Sequence, residues 1–442
     1  MKKIIILSAL VFWAGSGAAQ QSWSLRQCIE HAIAHNVDIL QAENSAKQSE
    51  IEVNTSRWAR LPNLNAGGNQ SFNWGRTQTA VKDEDTGDYT TKYINTSSQG
   101  TNMSLSTSVP LFTGFEIPNQ QALSKLNLKA AMADLQKAKE DLSVNVASAY
   151  LQVLFNRELH AVAMQQTALS KEQYERISRL EQLGRASTSE VAEARSRVAQ
   201  DELNAVQAKN SYDLSVLDLT QLIELETPAG FEPEDPASAF QIGRLTPPDE
   251  IFQEALISKP AIQAAQARLE GSKHSIKIAQ SALYPSLSLN GSIGTSYYST
   301  LNRNFREQLG DNFSKYIGVS LNIPLFNRFA TRNRVRSARL QQDSYALQLE
   351  SVRKALYKEI QQAWYNAVAS ESKYVSSEAA SEASLATFEL ASKKYESGTA
   401  TAVEYNEAKQ NLLKARSEEL QAKYEYIFRT KILDFYQGKD IY

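Results

Sequence analysis

From residue 119 to residue 183 the chain carries neither glycine nor proline, and the same holds from Leu325 to Ser397. In the first run Leu128, Ala131, Leu135, Ala138 and Leu142 step by three and four residues. In the second, Tyr345, Leu349, Val352, Leu356, Ile360, Ala363 and Ala367 keep a similar stripe. That spacing gathers apolar side chains on one face and predicts two very long helices of coiled-coil type. At ~1.5 Å per residue each rises about 100 Å, too long for a compact globule and suited to a span across a wide gap. Shorter helices are predicted over residues 24–58 and from near Ser189 to about Leu222.

Elsewhere the period falls to two. Leu64, Ala66, Gly68, Phe72 and Trp74 alternate with Asn63, Asn65, Asn69, Ser71 and Asn73. Met103, Leu105, Val109 and Leu111 alternate with serines, as do Leu287, Leu289 and Ile293, and Ile317, Val319, Leu321 and Ile323 alternate with Gly318, Ser320 and Asn322. Four strands of about ten residues follow, at about 62–75, 94–112, 285–298 and 315–326. Each has one apolar face and one of small polar residues, the pattern of a membrane β-barrel. An antiparallel sheet packed on a core is the competing reading; Ser and Asn rather than charges on the polar faces favour the barrel. Phe72, Trp74, Tyr297, Tyr298 and Tyr316 are expected in an interfacial girdle. Residues 76–92 and 299–315 are expected to form long, solvated external loops.

The pattern occurs twice. Leu61-Pro62-Asn63-Leu64 is echoed by Tyr284-Pro285-Ser286-Leu287, and Val109-Pro110-Leu111-Phe112 by Ile323-Pro324-Leu325-Phe326. Pro110 to Gly184 and Pro324 to Gly398 are both 74 positions. A duplication that conserves one spacing fixes the architecture. The expected order is residues 1–19 as a signal peptide, 20–223 as the first repeat, 224–250 as an acidic, proline-containing linker and 251–442 as the second repeat. Each repeat is a long α-helical hairpin with its tip at Gly184 or Gly398, plus a β-hairpin. Four strands are too few to close a barrel, and open sheet edges are not tolerated in lipid. Three copies supply twelve strands, and cyclic symmetry closes the ring.

Composition sharpens this. Lys2 and Lys3, the apolar run Ile4 to Ala14 and Gly17-Ala18-Ala19 read as an export signal. Beyond it no stretch is long and apolar enough for a membrane helix. Without Lys2 and Lys3, 45 basic residues face 49 acidic ones, which gives no support for nucleic-acid binding. Cys28 is the single cysteine, so no internal disulfide forms.

Val109-Pro110-Leu111-Phe112 with Gly114, Ile323-Pro324-Leu325-Phe326, and Tyr395-Glu396-Ser397-Gly398 followed by Glu404 and Ala408 resemble the TolC family of outer membrane efflux proteins. The resemblance covers about residues 22–436. It implies a mainly α protein with a membrane β-barrel portion, a homotrimer with a twelve-stranded barrel in outer-membrane lipid and a periplasmic α-helical tunnel. It implies a Gram-negative outer-membrane location, a periplasmic adaptor and an inner-membrane pump as partners, and no enzymatic activity.

Glu190 and Glu193 follow Gly184 by six and nine residues, and Glu404 and Glu407 follow Gly398 by the same six and nine. The i, i+3 spacing puts each pair on one helix face. Around a three-fold axis the pairs become carboxylate rings that favour cations; at a helix N-terminus they also simply suit the helix dipole. The resemblance implies that Glu404 and Glu407 form the pore constriction, as Glu in place of the family's Asp. The family's basic latch residue falls at Ala400, with Arg185 as a substitute on the other tip. Leu183, Gly184, Arg185, Ser187, Thr188, Ser397, Gly398, Thr399 and Thr401 look like adaptor-docking tips.

Four histidines (His31, His35, His160 and His274) and one cysteine offer no nucleophile–base set and no complete metal site, and no cofactor is expected. The function read from all this is a passive exit duct of an efflux or secretion system. A periplasmic adaptor and a soluble coiled-coil scaffold are the alternatives. The cargo stays open among drugs, metal ions and secreted polypeptides.

Overall fold

The computed structural model describes residues 21–82, 87–234, 245–439 and 441. The export signal expected at 1–19 and part of the expected linker, 235–244, lie outside the described residues.

Helices and strands follow in the order β1 (Gln21–Trp23), α1 (Leu25–His35), α2 (Val37–Trp58), β2 (Asn63–Lys82), β3 (Tyr89–Thr113), α3 (Glu116–Gln182), α4 (Thr188–Leu222), β4 (Phe231–Pro233), α5 (Pro248–Ser258), α6 (Pro260–Ser281), β5 (Ser286–Tyr298), α7 (Phe305–Asp311), β6 (Ser314–Asn322), α8 (Ala330–Glu396) and α9 (Ala402–Tyr436). The duplication is metrically strict in the helices. α1 and α5 have 11 residues, α2 and α6 have 22, α3 and α8 have 67, and α4 and α9 have 35. Leu25 to Pro248 and Val37 to Pro260 are 223 positions, whereas Glu116 to Ala330 and Thr188 to Ala402 are 214. The nine-residue difference falls between Trp58 and Glu116, in the first β-hairpin. The helix expected over 24–58 is two helices, broken at Asn36, whose extended backbone (φ −61°, ψ 130°) ends α1.

The residues form two compact units, one of the chain up to Ala46 with Ala131–Ala264 and Glu350–Tyr442, the other of Lys47–Ala130 and Ala265–Leu349. In the first, Cys28, Ile29 and Ala32 of α1 pack with Val146, Tyr150 and Leu154 of α3 and with Val216 and Leu219 of α4. Tyr150 is 1% exposed, and its hydroxyl reaches the carbonyl oxygens of Trp23 at 2.8 Å and Glu234 at 2.5 Å. This ties the short parallel pair β1–β4 to α3. Burial pushes the Cys28 thiol up to about 12, consistent with an inert packing residue.

The second unit holds one antiparallel sheet in the order β2-β3-β5-β6. The ladder puts Leu64, Met103, Ile293, Ile317, Val319 and Leu321 on one face, and all six are exposed. The other face carries Asn63, Asn65, Ser104, Ser106, Asn290 and Ser320. Phe72, Trp74 and Tyr297 lie on the apolar face, but register places Tyr298 and Tyr316 on the polar one, which removes them from the expected girdle.

The strands also depart from ten residues. β2 and β3 pair continuously from Asn63↔Ser108 to Lys82↔Tyr89, so most of the segment expected as a loop at 76–92 is ladder. The segment lacks apolar alternation, but it is rich in Thr, which strands favour. β6 stops at Asn322, short of Pro324. In the expected loop 299–315, α7 prolongs the sheet edge: the Gln308 side chain accepts from the Tyr298 N–H at 2.9 Å and donates to the Tyr298 carbonyl at 3.1 Å, and Asn312 Nδ2 donates to the Ser296 carbonyl at 2.7 Å. Pro110 sits beside a bulge and beyond the end of β2, where its missing donor costs no ladder bond to that strand. No described helix is long and apolar enough to cross a membrane.

Candidate functional site: the helix tips

Both long hairpins turn by the same device. Gly184 (φ +71°) and Gly398 (φ +77°) adopt the left-handed conformation that glycine accepts without penalty. The Gly184 N–H donates to the Glu181 carbonyl and the Arg185 N–H to that of Leu180, both at 2.8 Å. At positions 214 later, the Gly398 N–H donates to Tyr395 at 3.1 Å and the Thr399 N–H to Lys394 at 2.9 Å. These bonds satisfy carbonyls that a helix end otherwise leaves unpaired.

The next helices start with matching capping boxes. The Glu190 N–H donates to Ser187 Oγ at 3.2 Å, while the Ser187 N–H donates to Glu190 Oε2 at 2.6 Å. The Glu404 N–H donates to Thr401 Oγ1 at 3.3 Å, and the Thr401 N–H to Glu404 Oε2 at 2.9 Å. The first glutamate of each pair therefore closes a helix N-terminus. The Ser187 N–H and hydroxyl also hold the Glu190 carboxyl below the ordinary carboxylate range. All four glutamates are exposed. Glu190 and Glu193 border a small cavity with Tyr395, Tyr405 and Asn406, whereas Glu404 and Glu407 lie outside its lining.

The residues expected to dock an adaptor, Leu183, Gly184, Arg185, Ser187, Thr188, Ser397, Gly398, Thr399 and Thr401, are all exposed. Sequence reasoning missed the basic residue that does join the two tips. Arg176 of α3 donates to the Glu396 carbonyl at 3.4 Å and lies over the Tyr395 ring at 5.8 Å. Tyr395 in turn stacks on Tyr405, with ring centroids 5.0 Å apart. Burial, then the neighbouring Tyr395 and carboxylates, push the Tyr405 phenol up to about 12. His31 and His35 form their own close pair (Nδ1 to Nδ1 3.1 Å), and no described group of three or more side chains is placed to hold a metal ion.

Known proteins share this plan. The outer membrane efflux protein family model matches residues 28–224 and 251–434. The chain belongs to the outer membrane efflux protein family. The outer membrane protein TolC of Escherichia coli (strain K12) is 22% identical over 97% of this chain and 84% of its own length. The alkaline protease secretion protein AprF of Pseudomonas aeruginosa is 24% identical over 86% of this chain and 77% of its own. Among solved structures, the open state of the Neisseria gonorrhoeae MtrE outer membrane channel superposes with a TM-score of 0.75 at 19% identity, covering 96% of this chain and 92% of that one. Family membership places the protein in the outer membrane of a Gram-negative cell, as an efflux or secretion channel rather than a member of a known enzyme class.

Proposed function

We propose that three copies of this chain form an exit duct that passively conducts substrates from a periplasmic adaptor and an inner-membrane pump to the cell exterior. The observation that carries this is the pairing of β3 with β5. That junction joins the second strand of one repeat's hairpin to the first strand of the other's. β2 and β6 are the edges left over, so repeating the same junction between chains, β6 of one with β2 of the next, closes a ring of twelve strands with no bare edge. The exposed apolar face then meets lipid and the Ser/Asn face lines the water-filled interior.

In this reading Glu404 and Glu407 gather at the pore constriction, and the exposed tips around Gly184 and Gly398 receive the adaptor. Energy comes from the pump. The protease-secretion role in AprF's name supports a duct that serves an exporter. The test is single-channel recording of the purified mature protein in a planar bilayer. A small, cation-selective conductance is expected. No current from folded protein overturns the duct and favours the adaptor reading.

A further inference from the structure

Lys315 stands on the apolar face of the sheet, at the end of β6 next to α7. The ladder sets it in one rung with Ala66, Leu105 and Ile293, and sets Leu64, Thr107, Gly291 and Ile317 in the next. Between these rungs lies a shallow trough of about 350 Å³. Leu64, Leu105, Ile293 and Ile317 wall it, Gly291 and Thr107 form its floor, and Lys315 closes one end. A Cβ on Gly291 would come within 3.2 Å of Thr107 Cγ2, so the floor is low because position 291 lacks a side chain. The trough crosses four strands, about 14 Å at the usual spacing of paired strands.

Lys315 is exposed. Its Nζ lies 5.6 Å from the centre of the Phe313 ring and forms no ion pair among the described residues. A lysine on a lipid-facing surface is costly at the middle of a membrane and tolerated at its boundary. β6 has nine residues, within the ~9–11 that cross a hydrocarbon core. Lys315 is the second of them, and the other end of β6 leads into α8. With the long helices in the periplasm, Lys315 stands at the outer boundary and the trough runs from it into the hydrocarbon.

The duplication supplies a comparison. At the offsets of 223 and 214 positions, Gly291 corresponds to Gly68, Ile293 to Gln70, Ile317 to Met103 and Lys315 to Thr101. The ladder pairs Gly68 with Met103 and Gln70 with Thr101, repeating Gly291 with Ile317 and Ile293 with Lys315. There, however, the Thr101 hydroxyl donates to the Gln70 side chain. The sheet therefore needs neither a charge nor an apolar wall at this level; one copy carries both and the other neither.

We propose that Lys315 and the trough beside it bind one anionic, phosphate-bearing lipid of the outer leaflet per chain. The ammonium takes the phosphate as a point charge, and the trough removes the first part of one acyl chain from its fluid neighbours. The proposal rests on the duct reading, in which this face meets lipid.

The test is native mass spectrometry of the full mature protein, equilibrated in detergent with phosphatidylglycerol or, in parallel, with phosphatidylcholine. Wild type is expected to retain one phosphatidylglycerol per chain and severalfold less phosphatidylcholine. Lys315→Thr, which copies Thr101 of the other hairpin, is expected to lower phosphatidylglycerol to the phosphatidylcholine level, and Lys315→Arg to keep it. Thr107→Leu raises the floor without touching the charge and is expected to cut retention severalfold. Excess inorganic phosphate is expected to leave the lipid bound; its displacement reveals a bare anion site and overturns the lipid. Equal retention by wild type and Lys315→Thr overturns the site and leaves the duct intact. Unchanged retention in folded Thr107→Leu overturns the trough. Should Thr107→Leu fail to fold, Ile293→Gln copies Gln70 and removes one wall; a severalfold loss is again expected, and no loss overturns the trough. A wild type that stays soluble without detergent and retains neither lipid overturns the membrane-facing sheet, and the site with it.

Discussion

A Cβ built on Gly114 would lie 2.4 Å from the carbonyl oxygen of Ser281, and Gly114 itself sits at φ +61°. The corner where β3 turns into α3 is thus closed by the end of α6. Gly184 shares the positive φ but has open space around it. A left-handed conformation alone costs a non-glycine residue about 1–2 kcal/mol. Gly114→Ala is expected to lower the thermal midpoint clearly more than Gly184→Ala, followed by circular dichroism in detergent. Equal losses would mean that the corner yields to the extra methyl.

The second corner shows what its partner should be. Arg328 (φ +56°) and Phe329 (φ +63°) stand 214 positions after Gly114 and Phe115 and repeat their backbone. Phe115 packs edge-on against Tyr284, with ring centroids 6.2 Å apart. The sequence counterpart of Tyr284 is Leu61, and both Leu61 and Phe329 are exposed in the single chain, at 55% and 58%. In a closed ring they meet between copies. Cysteines at Leu61 and Phe329 together are expected to give a covalent trimer with a short bismaleimide, read by denaturing electrophoresis. Cys28 is fully buried and does not compete. Monomer alone after the reaction would count against the proposed junction.

Capping and conduction separate by mutation. Thr401→Ala removes the hydroxyl that accepts the Glu404 N–H and should cost about 1 kcal/mol of stability while leaving ion selectivity intact. Glu404→Ala with Glu407→Ala should lower cation selectivity and weaken block by multivalent cations, measured by reversal potentials. Selectivity unchanged in the double variant removes both carboxylates from the constriction.

Alkaline stability reports on Tyr405. Its pKa is raised in the folded protein, from 10.0 to about 12. The folded state therefore holds the phenolic proton more tightly than the unfolded chain. The associated stability is complete below pH 10 and is lost as pH rises towards 12. Thermal midpoints are expected to fall across that window, and less steeply in Tyr405→Phe. An identical pH dependence in the variant would show that Tyr405 stays ionisable in the folded protein.

Much of this fold was written in local patterns. Breaker-free runs marked α3 and α8 to within a few residues at their tips, because only the left-handed glycines end them. Ser187 and Glu190, like Thr401 and Glu404, carry the Ser/Thr-x-x-Glu capping signature, so the helical role of those glutamates was readable beside the proposed conducting one. The outer part of β2 and β3 was not readable, since its Thr, Gln and Lys residues carry no apolar alternation to mark a strand. The side of Tyr298 and Tyr316 depends on one-residue register, which flips every side chain. Asp201 and Lys409 sit among ordinary surface-like charges in sequence, 208 positions apart, and only the packing of α9 on α3 and α4 shows that they are buried together.

Apart from α7, the helices of the two halves match residue for residue in length, and the nine-residue surplus sits in the hairpin of β2 and β3. The longer hairpin leaves the matched helix lengths unchanged, which makes the segment between Lys82 and Tyr89 the place to graft foreign peptide. An epitope inserted between Lys82 and Tyr89 is expected to be displayed to antibodies on intact cells while the duct beneath keeps its dimensions.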